Sequence, residues 1–140
     1  MHVMAKHVLL VISAVLGIIG SVLGAYHGYG EILQEGNTPK GIVINAFSGI
    51  NCPPAGNANC FPAMTVLPTT FMVFGTITVI VAFFVLACTI LVVIGKNAGM
   101  MLLAASVVLL LVGGGFLSPI LGTVSALIAL WANRKTTGQP

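Results

Sequence analysis

Cys52 and Cys60 are the residues whose type and spacing most readily suggest chemistry in this chain. Two neighbouring cysteines can form a thiol–disulfide redox centre, but that chemistry usually needs the close C-x-x-C spacing that tunes the attacking thiolate. Here seven residues separate them, and no second pair is present to relay electrons. We therefore interpret Cys52–Cys60 as a structural disulfide and predict that the chain is not an enzyme and has no catalytic residue. Cys88, inside an apolar run, is interpreted as a small apolar residue.

Histidine and methionine residues are the candidate metal ligands, because imidazole and thioether groups suit copper. His2, Met4 and His7 are close together near the N-terminus, whereas His27 follows the first apolar run. If that run crosses a membrane, the bilayer separates His27 from the other two histidines. No acidic residue is near enough in sequence to orient these histidines. We therefore predict no metal site and no cofactor; a copper- or haem-associated accessory subunit of a membrane oxidase stays an alternative.

The composition is that of a membrane protein. Charged residues make up 5% of the chain, against roughly 25% in an average soluble domain. Hydrophobic residues make up 58%, and the mean hydropathy is +1.13. The apolar runs are long and continuous rather than alternating, which favours membrane helices over a barrel. The net charge of +3 comes from five scattered basic and two acidic residues, a pattern that does not indicate nucleic acid as a partner; we expect the lipid bilayer instead.

The apolar runs predict one all-α membrane domain over residues 1–140, a bundle of four transmembrane helices. We expect helices at about 8–25, 69–95, 98–116 and 119–132, with one large disulfide-containing outer loop at 26–68. The last two runs are short, so a re-entrant hairpin stays an alternative to two full crossings. A signal peptide beginning around Lys6 is the alternative for the first run, although that run is long for one.

Lysine and arginine residues set the expected orientation. With four crossings, one side carries Lys6, Lys96, Arg134 and Lys135, and the other carries Lys40 against Glu31 and Glu35, so the charges are +4 and −1 and sum to +3. The positive-inside rule then places both termini in the cytoplasm and the 26–68 loop outside the cell membrane. An oxidising outer compartment agrees with the Cys52–Cys60 disulfide.

The expected spans contain no Asp, Glu, Lys, Arg or His. Pumps and proton-coupled transporters place ionisable groups inside the membrane, so their absence argues against that class. The serine and threonine hydroxyls in the spans can bond back to carbonyls of their own helices. A small pore or carrier for an uncharged or hydrophobic solute stays an alternative.

Small residues recur at four-residue intervals in the first and last runs. A face with this spacing lets another helix approach closely, either within the bundle or from a partner. The helix-packing residues that we single out are Ser13, Gly17, Gly20, Ser21, Gly24, Gly122 and Ala126.

The expected layout resembles claudin-type tetraspan proteins, which have cytoplasmic termini and a disulfide in a large first outer loop, and also small prokaryotic tetraspan families. The tryptophan that precedes the cysteines in claudins is absent, because the only tryptophan is Trp131. We therefore carry over no functional residue. The sequence favours a non-catalytic structural or accessory subunit of an integral-membrane complex, packing against other membrane subunits or copies of itself.

Overall fold

The computed structural model describes residues 2–33, 70–94 and 98–137. They form four α-helices, as the apolar runs predict: α1 (His2–Ile32), α2 (Phe71–Val93), α3 (Gly99–Leu111) and α4 (Leu117–Thr137). The all-helical architecture is therefore confirmed. Cys52, Cys60 and the part of the expected loop after Leu33 lie outside the described residues.

Two of the helices are long and apolar enough to cross a membrane, namely Lys6–Ile32 within α1 and all of α2. The apolar parts of the other two helices are shorter, Gly99–Leu111 and Leu117–Asn133. At 1.5 Å per residue, the 13 residues of α3 extend about 20 Å, against a hydrocarbon core of about 30 Å.

The first helix is longer than the sequence predicts, and this corrects the expected boundary of the loop. We placed the end of the first span at Ala25 because tyrosine, histidine, glycine and glutamate follow it. In the structure α1 continues to Ile32. The added two turns are helical because they pack on α2: Gly28 lies against the backbone of Gly75, and Glu31 is fully buried.

The four helices form a ring in which each helix packs mainly on the next one, and α1 packs on both α2 and α4. Gly28 of α1 lies near the start of α2, beside Gly75, whereas Gly17 lies near the end of α2, beside Thr89. These contacts make α1 and α2 antiparallel. Gly24 of α1 lies against Ser118 at the start of α4. The line of contacts between α1 and α4, the α1–α4 seam, continues from there toward the other ends of the two helices.

The core combines a few large apolar side chains with many small ones. Leu102 and Leu109 of α3 and Val85 of α2 are fully buried, and they are surrounded by the alanines at 82, 105, 126 and 129. Because alanine adds little volume, the helix axes can approach closely. Large apolar side chains instead cover the outward faces of all four helices.

Candidate functional site

The seam between α1 and α4 is built by serine hydroxyls that reach the facing backbone. Ser13 Oγ donates to the carbonyl of Ser125 at 2.9 Å, and Ser125 Oγ donates to the carbonyl of Ser13 at 2.6 Å. Further along, Ser118 Oγ donates to the carbonyl of Gly20 at 2.7 Å. All three serines are buried. Gly20 allows this approach because a Cβ there would lie 3.0 Å from the Ser118 carbonyl oxygen.

The other small residues singled out in the sequence also lie between helices of this chain or in its core. A Cβ on Gly17 would come 2.5 Å from Thr89 Oγ1 and 3.0 Å from Ser125 Oγ, so α1 is held there between α2 and α4. A Cβ on Gly24 would lie 2.7 Å from the Ser118 hydroxyl. Gly122 lies between Gly20 and Ser106, Ala126 is fully buried, and Ser21 is 3% exposed.

Eight serine and threonine hydroxyl groups of the described residues divide into two sets. Four bond back to carbonyls of their own helix, as the sequence leads us to expect: Ser21, Thr76, Thr89 and Ser106. Four others bond instead to a different part of the chain: Ser13, Thr78, Ser118 and Ser125. The sequence did not indicate the bonds of the second set, and three of its four members lie on the α1–α4 seam.

A buried polar cluster occupies the end of the bundle where α1 stops. Glu31, one residue before the end of α1, has a fully buried side chain. Its Oε2 lies 3.4 Å from Thr78 Oγ1 of α2, and Thr78 is fully buried too. Thr78 Oγ1 lies closer, at 2.9 Å, to the carbonyl oxygen of Val112, the residue that caps the C-terminal end of α3. The carboxyl group therefore lies between three helices.

The second carboxyl oxygen of Glu31 faces His27, one helical turn earlier in α1. Glu31 Oε1 lies 3.6 Å from His27 Nε2, a distance too long for a hydrogen bond. The imidazole is 15% exposed, whereas the carboxyl side chain is fully buried. From the residues that the structure describes, Oε1 receives no hydrogen bond. The prediction that no acidic residue is near enough in sequence to orient the histidines is therefore wrong for His27, which lies four residues before Glu31.

The turn between α3 and α4 covers this pair with two glycines. Gly113 and Gly115 have φ angles of +104° and +71°, a backbone conformation that glycine adopts without steric cost. A Cβ on Gly113 would lie 2.9 Å from Glu31 Oε1, and a Cβ on Gly115 would lie 3.1 Å from His27 Nδ1. Both positions therefore need glycine for space as well as for conformation.

Sequence reasoning missed this cluster because it assigned His27 and Glu31 to the outer loop. A usable signal was present in the spacing. Gly20, Gly24 and Gly28 mark one face of α1, and Glu31 follows Gly28 by three residues on the same face. Extending the small-residue face by one turn would have placed the carboxyl group inside the bundle.

The candidate metal ligands are spread along α1. His7 and His27 are twenty positions apart on this continuous helix, which separates them by about 30 Å. Met4 is 78% exposed. Within residues 2–33, 70–94 and 98–137, no three His, Cys, Asp or Glu side chains are grouped so that they could hold a metal ion.

No protein-family model, no curated protein and no solved structure matches this chain. A function is therefore assigned from the geometry of the buried contacts described above.

Proposed function

We propose that this chain is a non-catalytic, four-span subunit of an integral-membrane assembly. The observation that carries the proposal is the outward surface of the bundle, where large apolar side chains are exposed on every helix. A water-soluble protein rarely exposes contiguous apolar surface of this extent, whereas lipid or another membrane helix covers it well. Two helices have the length and composition for a crossing, and the shorter α3 and α4 pack beside them as antiparallel neighbours.

The proposed orientation has both termini in the cytoplasm and the loop on the outer side. Because Glu31 belongs to the bundle, Lys40 and Glu35 remain as the outer charges and cancel each other. The inner side keeps its four basic residues. The positive-inside rule therefore favours the orientation that the sequence predicts.

The proposed contact with a partner uses large side chains. The small-residue faces of α1 and α4 are occupied by contacts within the chain, so a partner must approach an outward face. On α1 this face carries a row of exposed side chains at alternating intervals of four and three residues: Met4, Val8, Val11, Val15, Ile18 and Val22. This spacing is that of helices packed along a left-handed seam, and the row covers most of the longest helix.

Native mass spectrometry of the protein, extracted from its own membranes in mild detergent, tests the proposal. We expect a complex with copies of itself or with other membrane proteins, and we expect Val11→Trp to reduce its abundance several-fold. Ile80→Trp is the matched control, because Val11 and Ile80 are both 62% exposed but lie on different helices. A monomer in every mild detergent, together with no cross-linked product in intact membranes, would contradict the subunit proposal.

A second candidate is a small carrier, and the buried Glu31 favours it. Ionisable side chains inside a membrane bundle often belong to a transport pathway, and in a membrane-spanning bundle the buried Glu31 would be such a side chain. Solute flux into vesicles that contain the purified protein, compared with vesicles that contain Glu31→Gln, tests this candidate.

A further inference from the structure

The Glu31 carboxyl group has few neighbours that would compensate a negative charge on it. The helix α1 ends at Ile32, and α3 ends at Leu111 with Val112 as its C-cap. Both helix ends bring partial negative charge toward the carboxyl group. From α2 the group meets the uncharged Thr78, and from the α3–α4 turn it meets Gly113. The site therefore attracts a positive charge.

His27 is the one titratable side chain that faces Glu31 from the described part of the bundle. The only titratable residue of α2 is Cys88, ten residues beyond Thr78, or about 15 Å along the helix. The helix α3 contains none, and Arg134 and Lys135 belong to the opposite end of α4. A positive charge supplied by this part of the chain must therefore be a proton held by Glu31 or by His27.

The hydrogen-bonding capacity of Thr78 also favours a proton on Glu31. Its hydroxyl has one hydrogen, and the carbonyl of Val112, which can only accept, lies nearer than the carboxyl group, at 2.9 Å against 3.4 Å. When that hydrogen is donated to Val112, Thr78 presents lone pairs to Glu31 Oε2. A hydrogen bond across this contact then needs a hydrogen on Glu31. The arrangement around the carboxyl group suits its protonated form.

We propose that Glu31 and His27 form a proton-binding site inside the bundle, in which Glu31 is the buried acceptor and His27 delivers the proton. The imidazole is partly exposed, but its Nε2 is buried against Glu31, so the proton from the aqueous phase adds to the other ring nitrogen, Nδ1. The hydrogen on Nε2 then passes to Oε1 of Glu31, which forms an O–H bond as the N–H bond breaks. His27 returns to its neutral form, and the negative charge of Glu31 is removed. The 3.6 Å gap has to shorten by nearly 1 Å for this transfer.

The proposal depends on the membrane location of the bundle but not on a partner subunit. Its test therefore uses the purified chain in phosphatidylcholine vesicles, where the absence of a partner has no effect on the result. Infrared difference spectra are recorded after a pH step between about pH 5 and pH 8, in H2O and in D2O. We expect one carboxylic C=O band per chain, which shifts in D2O and appears as the pH falls.

Four variants assign the band and the route. Glu31→Gln should abolish the band, whereas Glu35→Gln, at the only other acidic residue, should leave it. His27→Gln should slow its appearance at least tenfold, whereas His7→Gln should not change the rate. Glutamine keeps the side chain nearly the same size, and circular dichroism checks that each variant is folded.

Several results would overturn the proposal. If Glu31 stays ionised across the whole pH range, or stays protonated across it, the site does not take up and release a proton as proposed. Equal rates in His27→Gln and His7→Gln would remove the role of His27. A change in the Glu31 band on adding Na⁺ at constant pH would mean that the site binds a metal cation instead.

Discussion

Ser13 and Ser125 exchange hydrogen bonds across the α1–α4 seam, each hydroxyl donating to the carbonyl oxygen of the other residue. The two hydroxyl oxygens are 3.1 Å apart. Since each hydroxyl has one hydrogen and gives it to a carbonyl, little attraction is left between the hydroxyl groups themselves. The pair therefore consists of two separate bonds between a side chain and a backbone.

This pairing predicts additive effects in a double-mutant cycle. Ser13→Ala and Ser125→Ala should each lower the free energy of unfolding by about 0.5–1.5 kcal/mol. The double variant should equal the sum of the two within about 0.5 kcal/mol. Ser21→Ala is the control, because the Ser21 hydroxyl bonds within its own helix to Ile18. Steric-trap unfolding in bicelles measures all four variants, and a larger coupling would indicate a direct bond between the hydroxyls.

Gly20→Leu should destabilise the bundle itself. The new side chain meets the backbone of α4, since a Cβ there lies 3.0 Å from the Ser118 carbonyl oxygen, and the hydrogen bond from Ser118 to Gly20 should be lost. We expect a loss of about 1–3 kcal/mol or more, with normal insertion because leucine is as apolar as lipid. Thermal unfolding in detergent and limited proteolysis measure the effect.

The control for Gly20→Leu is Val22→Leu, at a side chain that is 58% exposed, which should change stability by less than about 0.5 kcal/mol. If Gly20→Leu were as stable as this control but released a partner, Gly20 would serve an intermolecular contact instead.

Cys52 and Cys60 are predicted to form a structural disulfide. Replacing both with serine should lower the free energy of unfolding by about 2.6 kcal/mol in the chain-entropy model, while assembly is kept. Alkylation of the unreduced protein, followed by mass spectrometry, is the direct measurement. Alkylation of both thiols before reduction would show that the disulfide is absent.

Sidedness follows from the basic residues and can be measured by labelling. Single cysteines replace Asn37 or Gly138 in a background without the three native cysteines. In intact cells an impermeant maleimide should label position 37 and should label position 138 only after lysis. Labelling of both from outside would mean an odd number of crossings.

The sequence predicts the four helices because their apolar runs are long and are interrupted by glycine, proline and charge. It does not predict where α1 ends, because the residues after Ala25 look polar when considered alone. Packing on α2 keeps these residues helical. Gly75 lets the backbone of α1 approach closely at Gly28, and Thr78 lies beside Glu31. Such contacts join residues 47 positions apart, and local composition contains no trace of them.

The candidate site was missed for the same reason. A glutamate after a glycine-rich run resembles the start of a loop. The spacing from Gly28 to Glu31 could have placed the carboxyl group on the packed face of α1, but the turn at Gly113 that encloses it is formed by a distant part of the chain. Small residues at helix-packing positions could likewise be recognised in the sequence. The sequence could not show whether a serine hydroxyl bonds within its own helix or across the α1–α4 seam.

The ring arrangement also constrains the order in which the contacts between helices can form during synthesis. The hydrogen bonds of the α1–α4 seam join residues 98 and 112 positions apart, and of the four helices α4 leaves the ribosome last. Until it arrives, the groove of α1 that holds Ser13 and Gly20 has no α4 to fill it. Of the four helices, α1 is therefore made first but completes its contacts only when α4 arrives. A chain cut short before α4 would leave this groove of α1 exposed to quality-control proteases or to another helix.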